Sequence, residues 1–283
     1  MIRQTRGAAL ILVLLIIGIL GLLSLQMGLS AKRNVAIADR LQARTEALLR
    51  LKSSETALVF SLLTEPWVAP NDGPSENPYA ARWNFRGEPF EVDGVRYAMQ
   101  DVKGLLVLPQ SSDSTLAFER LLRHIGIESG RVRRIVDALH AEQDPGFRGR
   151  EAGDRPVPWQ SLDELRGLGG LTNDEFERLR PFLSIYPTAD FNPATAPAAV
   201  LATRFDENIV ETLIAMQARN ELDTDAFRRV TGLSDDDFTV LYPGPALRIA
   251  TERVEQDFRL TRETTLVLRP YENEPVQTWG RRQ

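Results

Sequence analysis

The residues of this chain best suited to chemistry are acids. Asp137, Glu142, Asp144, Glu151 and Asp154 gather around a stretch containing Pro145 and Gly146. Carboxylates at that density could supply some of the roughly six to eight oxygen ligands that calcium takes. Their spacing matches no EF-hand loop, and Arg148, Arg150 and Arg155 compete for the same acids. A solvated charged loop is therefore the simpler reading, with Asp137, Glu142, Asp144 and Glu151 as the calcium alternative. Cysteine is absent, which removes disulfides, thiolate catalysis and thiolate-bound metals. His124 and His140 each stand near the end of a helical pattern and read as cap or surface residues. There is no Gly-x-Ser-x-Gly, no His-Glu-x-x-His and no phosphate loop. Gly167-x-Gly169-Gly170 follows no strand pattern, so it reads as a hairpin turn and not a dinucleotide fingerprint. The expectation is a protein that is not an enzyme.

Among the elements that would position such residues, the clearest comes first. No charge falls between Arg6 and Lys32, so Gly7 to Ala31 is one apolar segment of 25 residues. As a helix it is about 37 Å long, enough to cross a hydrocarbon core of about 30 Å. A secretory signal has a shorter apolar region followed by small residues, whereas here the small residue, Gly7, precedes the run. Arg3 and Arg6 lie before the span and Lys32, Arg33, Arg40 and Arg44 after it, so charge counting alone does not orient it. From Ala31 to Leu63 there is no proline or glycine. Ile37, Leu41, Leu48, Leu51, Leu58 and Leu62 recur at helical spacing, which predicts that the helix continues in amphipathic form. A juxtamembrane coiled coil would show the same pattern.

Pro66, Pro70, Gly73 and Pro74 then break the chain. Strand patterns follow at Pro89–Val92 and Val95–Val102, joined by Asp93-Gly94, a hairpin signal. Strand character returns at Ala246–Ala250 and Phe258–Leu268. The chain between, from about Thr115 to Tyr242, reads as helical. Ser114 and Ser129 are candidate caps, and capping boxes fit Ser161/Glu164, Thr172/Glu175 and, with aspartate, Ser234/Asp237. The net charge of -5 provides no general attraction for nucleic acid.

Within the helical region the sequence repeats at an offset of 62. Leu165-x-x-Leu168-Gly169-Gly170-Leu171-Thr172-x-x-Glu175-Phe176-x-x-Leu179-x-Pro181 matches Phe227-x-x-Val230-Thr231-Gly232-Leu233-Ser234-x-x-Asp237-Phe238-x-x-Leu241-x-Pro243. Each copy resembles a helix-hairpin-helix unit, with Gly169 and Gly170, or Gly232, at the turn. Such units often hold DNA phosphate at hairpin amides. Here acids follow both turns, Asp174-Glu175 and Asp235-Asp236-Asp237, and repel an anion. A membrane-anchored, competence-type DNA-binding protein is the alternative, but no nucleic acid is expected.

The order basic peptide, glycine, apolar helix resembles the prepilin leader of type IV pilins and pseudopilins. Leu12, fifth after Gly7, stands where most of them have glutamate, and Ala8 where many have phenylalanine. The branch that also lacks the glutamate is minor pseudopilin K of type II secretion. Further resemblance lies in Asn192-Pro193-Ala194-Thr195-Ala196-Pro197, read as a turn in which Asn192 bonds backbone, Thr195 caps the next helix and Pro197 fits its first turn. Gly104–Pro109 departs from the family, which usually has an asparagine-rich strand end there. The resemblance implies an α+β fold: a pilin-like long helix and small antiparallel sheet, interrupted by a large all-α insertion. The segments are a leader at 1–7, a helix at 8–63 with 8–31 in the membrane, sheet portions at 64–112 and 245–283, and an insertion at 113–244 with repeats at 161–182 and 223–244. It also implies cleavage between Gly7 and Ala8 by prepilin peptidase, and calcium in the insertion as described for relatives. Finally it implies a tip complex with minor pseudopilins I and J, contact with other pseudopilins and with secreted substrates, and an inner-membrane anchor with a periplasmic domain.

Overall fold

The computed structural model of the protein describes residues 5–67, 75–109, 112–143, 159–233, 239–255 and 258–282. Helix α1 runs unbroken from Thr5 to Thr64. It stops where the sequence requires, because Pro66 disfavours helical backbone at the residue before it. Two units divide the chain: residues 1–54 with 253–260, and residues 55–252 with 261–283. In the first, the side chains from Leu10 to Leu29 that would face lipid are exposed, as are Val35, Ile37 and Leu41.

The second unit holds the last turns of α1, a sheet and an all-α insertion. β1 (Arg86–Val92) and β2 (Val95–Asp101) form an antiparallel hairpin. Its two turn residues, Asp93 (φ 51°) and Gly94 (φ 71°), are both left-handed, as a type I′ turn demands. The chain continues through β3 (Leu106–Val107), α2 (Ser112–His124), α3 (Ser129–Gln143), α4 (Asn173–Leu179), β4 (Leu183–Ser184), α5 (Ala198–Leu201), α6 (Glu207–Ala218) and α7 (Thr224–Thr231). It closes with β5 (Ala246–Val254), β6 (Arg259–Leu268) and β7 (Val276–Arg282). The five-stranded sheet has the order β1-β2-β5-β6-β7, so β2 pairs directly with β5 although the whole insertion lies between them in sequence.

Alternation along β2 buries Val95, Tyr97 and Met99 completely. Tyr97 stacks on Phe90 at 5.4 Å and meets Tyr79 edge-on at 5.7 Å. Glu55 of α1 accepts from the Thr251 hydroxyl at 2.8 Å and from Arg262 at 2.7 Å, fixing the end of the helix to the sheet. Leu58 and Leu62 beside it are fully buried, each contributing about 2 kcal/mol by its removal from water. A separate apolar core organises the insertion around Phe118, Leu122, Ile135, Leu139, Phe176 and Leu213.

Several expectations need correction. The region from Thr115 to Tyr242 is not wholly helical, because β4 pairs in parallel with β3 and the stretches at 162–165 and 168–170 are short 3-10 turns. Ser114 lies inside α2, not at its cap. Ser129 is already in α3, where the Arg131 and Val132 amides donate to the Glu128 carbonyl, each at 2.9 Å. β7 extends the sheet past Leu268, where strand character in the sequence ended.

Candidate functional site

The two places where this fold exceeds ordinary packing are the apolar stretch of α1 and the joint between sheet and insertion. By length and composition, α1 is the one helix among the described residues suited to crossing a membrane. Gly7 and Ala8 lie within it, and Leu12, 59 % exposed, carries no group to neutralise.

The joint centres on Asp101, the last residue of β2 and fully buried. One of its oxygens accepts from the Lys103 amide at 3.0 Å. The other accepts from Asn192 Nδ2 at 2.9 Å and from the Thr195 hydroxyl at 3.0 Å. Burial pushes the carboxyl up from its ordinary value, and hydrogen bonds from Lys103, Asn192, Thr195 and the Gly244 backbone oppose that shift. Lys103 turns its ammonium to Asp190 instead, at 2.6 Å. One carboxylate thus ties together the chain entering the insertion, the loop at its centre and the chain leaving it at Gly244.

The loop Asn192–Pro197 is held closely. Its prolines donate no hydrogen bond, so its carbonyls need outside partners. Gln100 donates to the Thr195 carbonyl at 2.9 Å, and Gln217 donates to Pro193 and Ala196 at 2.5 and 3.0 Å. A Cβ on Gly104 would lie 2.7 Å from the Thr195 carbonyl oxygen, so only glycine fits there. Arg248, buried on β5, donates to the Leu183 carbonyl, and Arg180 pairs with Glu263 of β6. The expected role of Thr195 is corrected, because Pro197 holds the N-cap position of α5 and makes no side-chain cap. The Thr195 hydroxyl serves the buried carboxylate, for which an unmet acceptor would cost about 1–3 kcal/mol. Asn192 does bond backbone, but through the Ala194 amide that follows it, at 3.0 Å. Asp101, Gln100 and Gln217 were not singled out from sequence, and Gly104 only as the start of a stretch that departs from the family; an acid at the end of the strand pattern was the available signal.

The two repeat copies are not equivalent. In the first, both capping boxes form, at Ser161/Glu164 and Thr172/Glu175. Arg131 of α3 grips the Glu175 carboxylate through two nitrogens, one at 2.7 Å, and donates to the Gly170 carbonyl at 2.8 Å. That grip, with the Thr172 amide, holds Glu175 down at about 2. The Thr172 amide, one that a phosphate could approach, is thus already satisfied by a carboxylate. Gly169 (φ 57°) packs so tightly that a Cβ would lie 2.5 Å from the Ile135 Cα. In the second copy Gly232 (φ 70°) ends α7 in open space, while Ser234 and Asp237 lie outside the described residues. A complete helix-hairpin-helix unit is established in neither copy. Of the calcium set, Asp137 and Glu142 lie on α3, whereas Asp144 and Glu151 lie outside the described residues. Among the described residues no three acids or histidines group to hold a metal. His140 is exposed and bonds the Thr115 hydroxyl at 3.2 Å.

A long N-terminal helix, and an antiparallel sheet with helices inserted between two adjacent strands, make an α+β fold, and the apolar part of that helix fits a single-pass membrane anchor. Residues 98–188 match the family described as Type II secretion system (T2SS), protein K. The chain is 29 % identical over 260 residues to type II secretion system protein K of Klebsiella pneumoniae, covering 77 % of this chain and 76 % of that one. A protein of Escherichia coli strain K12 bearing the same family name is 24 % identical over 258 residues, covering 79 % and 73 %. Among solved structures, a chain of the GspK-GspI-GspJ complex of the enterotoxigenic Escherichia coli Type 2 Secretion System shares the fold, with a TM-score of 0.54 and 14 % identity. That match covers 87 % of this chain and 98 % of that one. Over most of its length the chain is thus similar to type II secretion proteins K.

Proposed function

We propose that this chain is a minor pseudopilin that initiates and caps the type II secretion pseudopilus, as part of a tip complex that serves the export of folded proteins across the outer membrane. The observation that carries the reading is the first part of α1, where Leu10, Leu14, Ile17 and Met27 are all more than half exposed. Lipid and neighbouring apolar helices are the surroundings that satisfy such a surface. Prepilin peptidase would cut between Gly7 and Ala8 and leave that helix on the mature subunit. The solved relative is a complex of GspK with GspI and GspJ, and the corresponding minor pseudopilins I and J are the proposed partners here. With leucine at position 12 in place of an acid, the subunit needs no partner beyond it to neutralise a carboxylate in lipid. The insertion between β2 and β5 supplies the bulk that ends the filament. The anchor would lie in the inner membrane with the rest of the chain in the periplasm, and the action is mechanical, without catalysis.

The mass of the protein extracted from membranes tests this. Loss of residues 1–7 is expected, and an intact terminus in cells with active peptidase refutes it. The chain has no cysteine, so Leu14→Cys gives a single cross-linking probe. It should form a disulfide with a cysteine placed in the helix of minor pseudopilin I or J.

A further inference from the structure

A groove of about 640 Å³ opens on the insertion, lined by β3, α2 and the chain following α5. Its walls include Leu116 and Leu233, which are 56 % and 51 % exposed. Its charge runs against the net -5 of the protein. Lys103 is neutralised by Asp190, but two arginines on the groove have no carboxylate partner among the described residues. Arg120 donates to the Thr203 carbonyl at 2.8 Å, and Arg204 lies over the Phe191 ring at 4.2 Å. Among the described residues a strand edge is open as well. The Leu108 amide donates to the Ser184 carbonyl at 2.9 Å, so alternation turns the amide and carbonyl of Val107 away from β4. Among the described residues the sheet formed by β3 and β4 has these two strands alone.

We propose that this groove binds an extended acidic segment of a second polypeptide. Its backbone would add to the edge of β3 at Val107, a mode in which main-chain bonds supply affinity and alternate side chains supply selectivity. Its carboxylates would meet Arg120 and Arg204, and an apolar side chain would lie between Leu116 and Leu233. A neutral segment would leave both guanidiniums without a counter-charge, and a basic one would be repelled. The inference stands apart from the filament reading, since the leader can be cut whether or not the groove binds anything.

The full chain in detergent micelles, titrated into a fluorescent hexapeptide of alternating leucine and aspartate, tests it by anisotropy. Arg204→Glu should weaken binding by roughly tenfold or more, Arg120→Glu should act in the same direction, and Arg204→Lys should retain part of the affinity. Hydrogen exchange at the Val107 amide should slow when the peptide binds. Equal binding of a leucine–lysine hexapeptide would overturn the proposal, as would indifference to both charge reversals or displacement by oligothymidine. So would binding seen only after Asp235, Asp236 and Asp237 are all changed to asparagine, because the chain would then be filling its own groove.

Discussion

The two copies of the repeat match residue for residue, yet their surroundings differ. Leu171 of the first is 3 % exposed, whereas Leu233 of the second is 51 % exposed. Gly169 presses on the backbone of α3, whereas its counterpart Thr231 ends α7 and bonds its hydroxyl to the Phe227 carbonyl at 2.8 Å. The stretch before the first turn is 3-10, and the stretch before the second is α-helical. A repeated pattern of types therefore specifies a local turn without specifying what covers it. The copy gripped by Arg131 is structural, and the other leaves its leucine on a groove.

Substitutions at matched positions should widen or close this difference. Gly169→Ala meets both a left-handed backbone and the body of α3, and should cost about 4 kcal/mol. Thermal melting would measure it, and a loss below about 1 kcal/mol would show that the clash is relieved by movement. Leu171→Ala leaves a cavity and should cost about 3 kcal/mol in urea unfolding. Gly232→Ala meets only the backbone penalty, about 1 kcal/mol by the same urea titration. Leu233→Ala should change stability by less than about 0.5 kcal/mol; a cost equal to that of Leu171→Ala would make the copies equivalent after all.

Acid acts in opposite directions on the first copy and on the joint. Glu175 is held at about 2, below its ordinary value of 4.5. In that interval the unfolded chain binds the proton more readily, so the contribution of Glu175 is complete above pH 4.5 and disappears as pH falls toward 2. Asp101 acts in the opposite sense, since burial raises its pKa and its ionisation weakens the fold as pH rises past 3.8. The difference between wild type and Glu175→Gln isolates the first effect. That difference should shrink steadily on acidification below pH 4.5, and a constant gap would mean that Arg131 contributes nothing through charge.

Much of the fold was legible in the sequence for a shared reason. The apolar run from Gly7 to Ala31, the left-handed pair Asp93-Gly94 and the capping boxes at Ser161 and Thr172 each depend on residues close together in the chain. The joint was legible only in outline. Asn192 and Thr195 stood out by resemblance, but their partner Asp101 lies 91 and 94 residues away, and no local pattern marks a pairing that distant. Thr195 was read as a helix cap because a hydroxyl before a helix commonly serves there, and a buried carboxylate outbid the helix amides.

The sequence by itself determined the apolar helix, its amphipathic continuation and the hairpin, because length, periodicity and backbone preference act between near neighbours. Only the tertiary structure decided that Asp101 joins three segments, that Gly104 and Gly169 admit no side chain, and that one repeat copy is gripped while Leu233 of the other is exposed. Those outcomes depend on which distant surfaces meet when a buried polar group must find a partner.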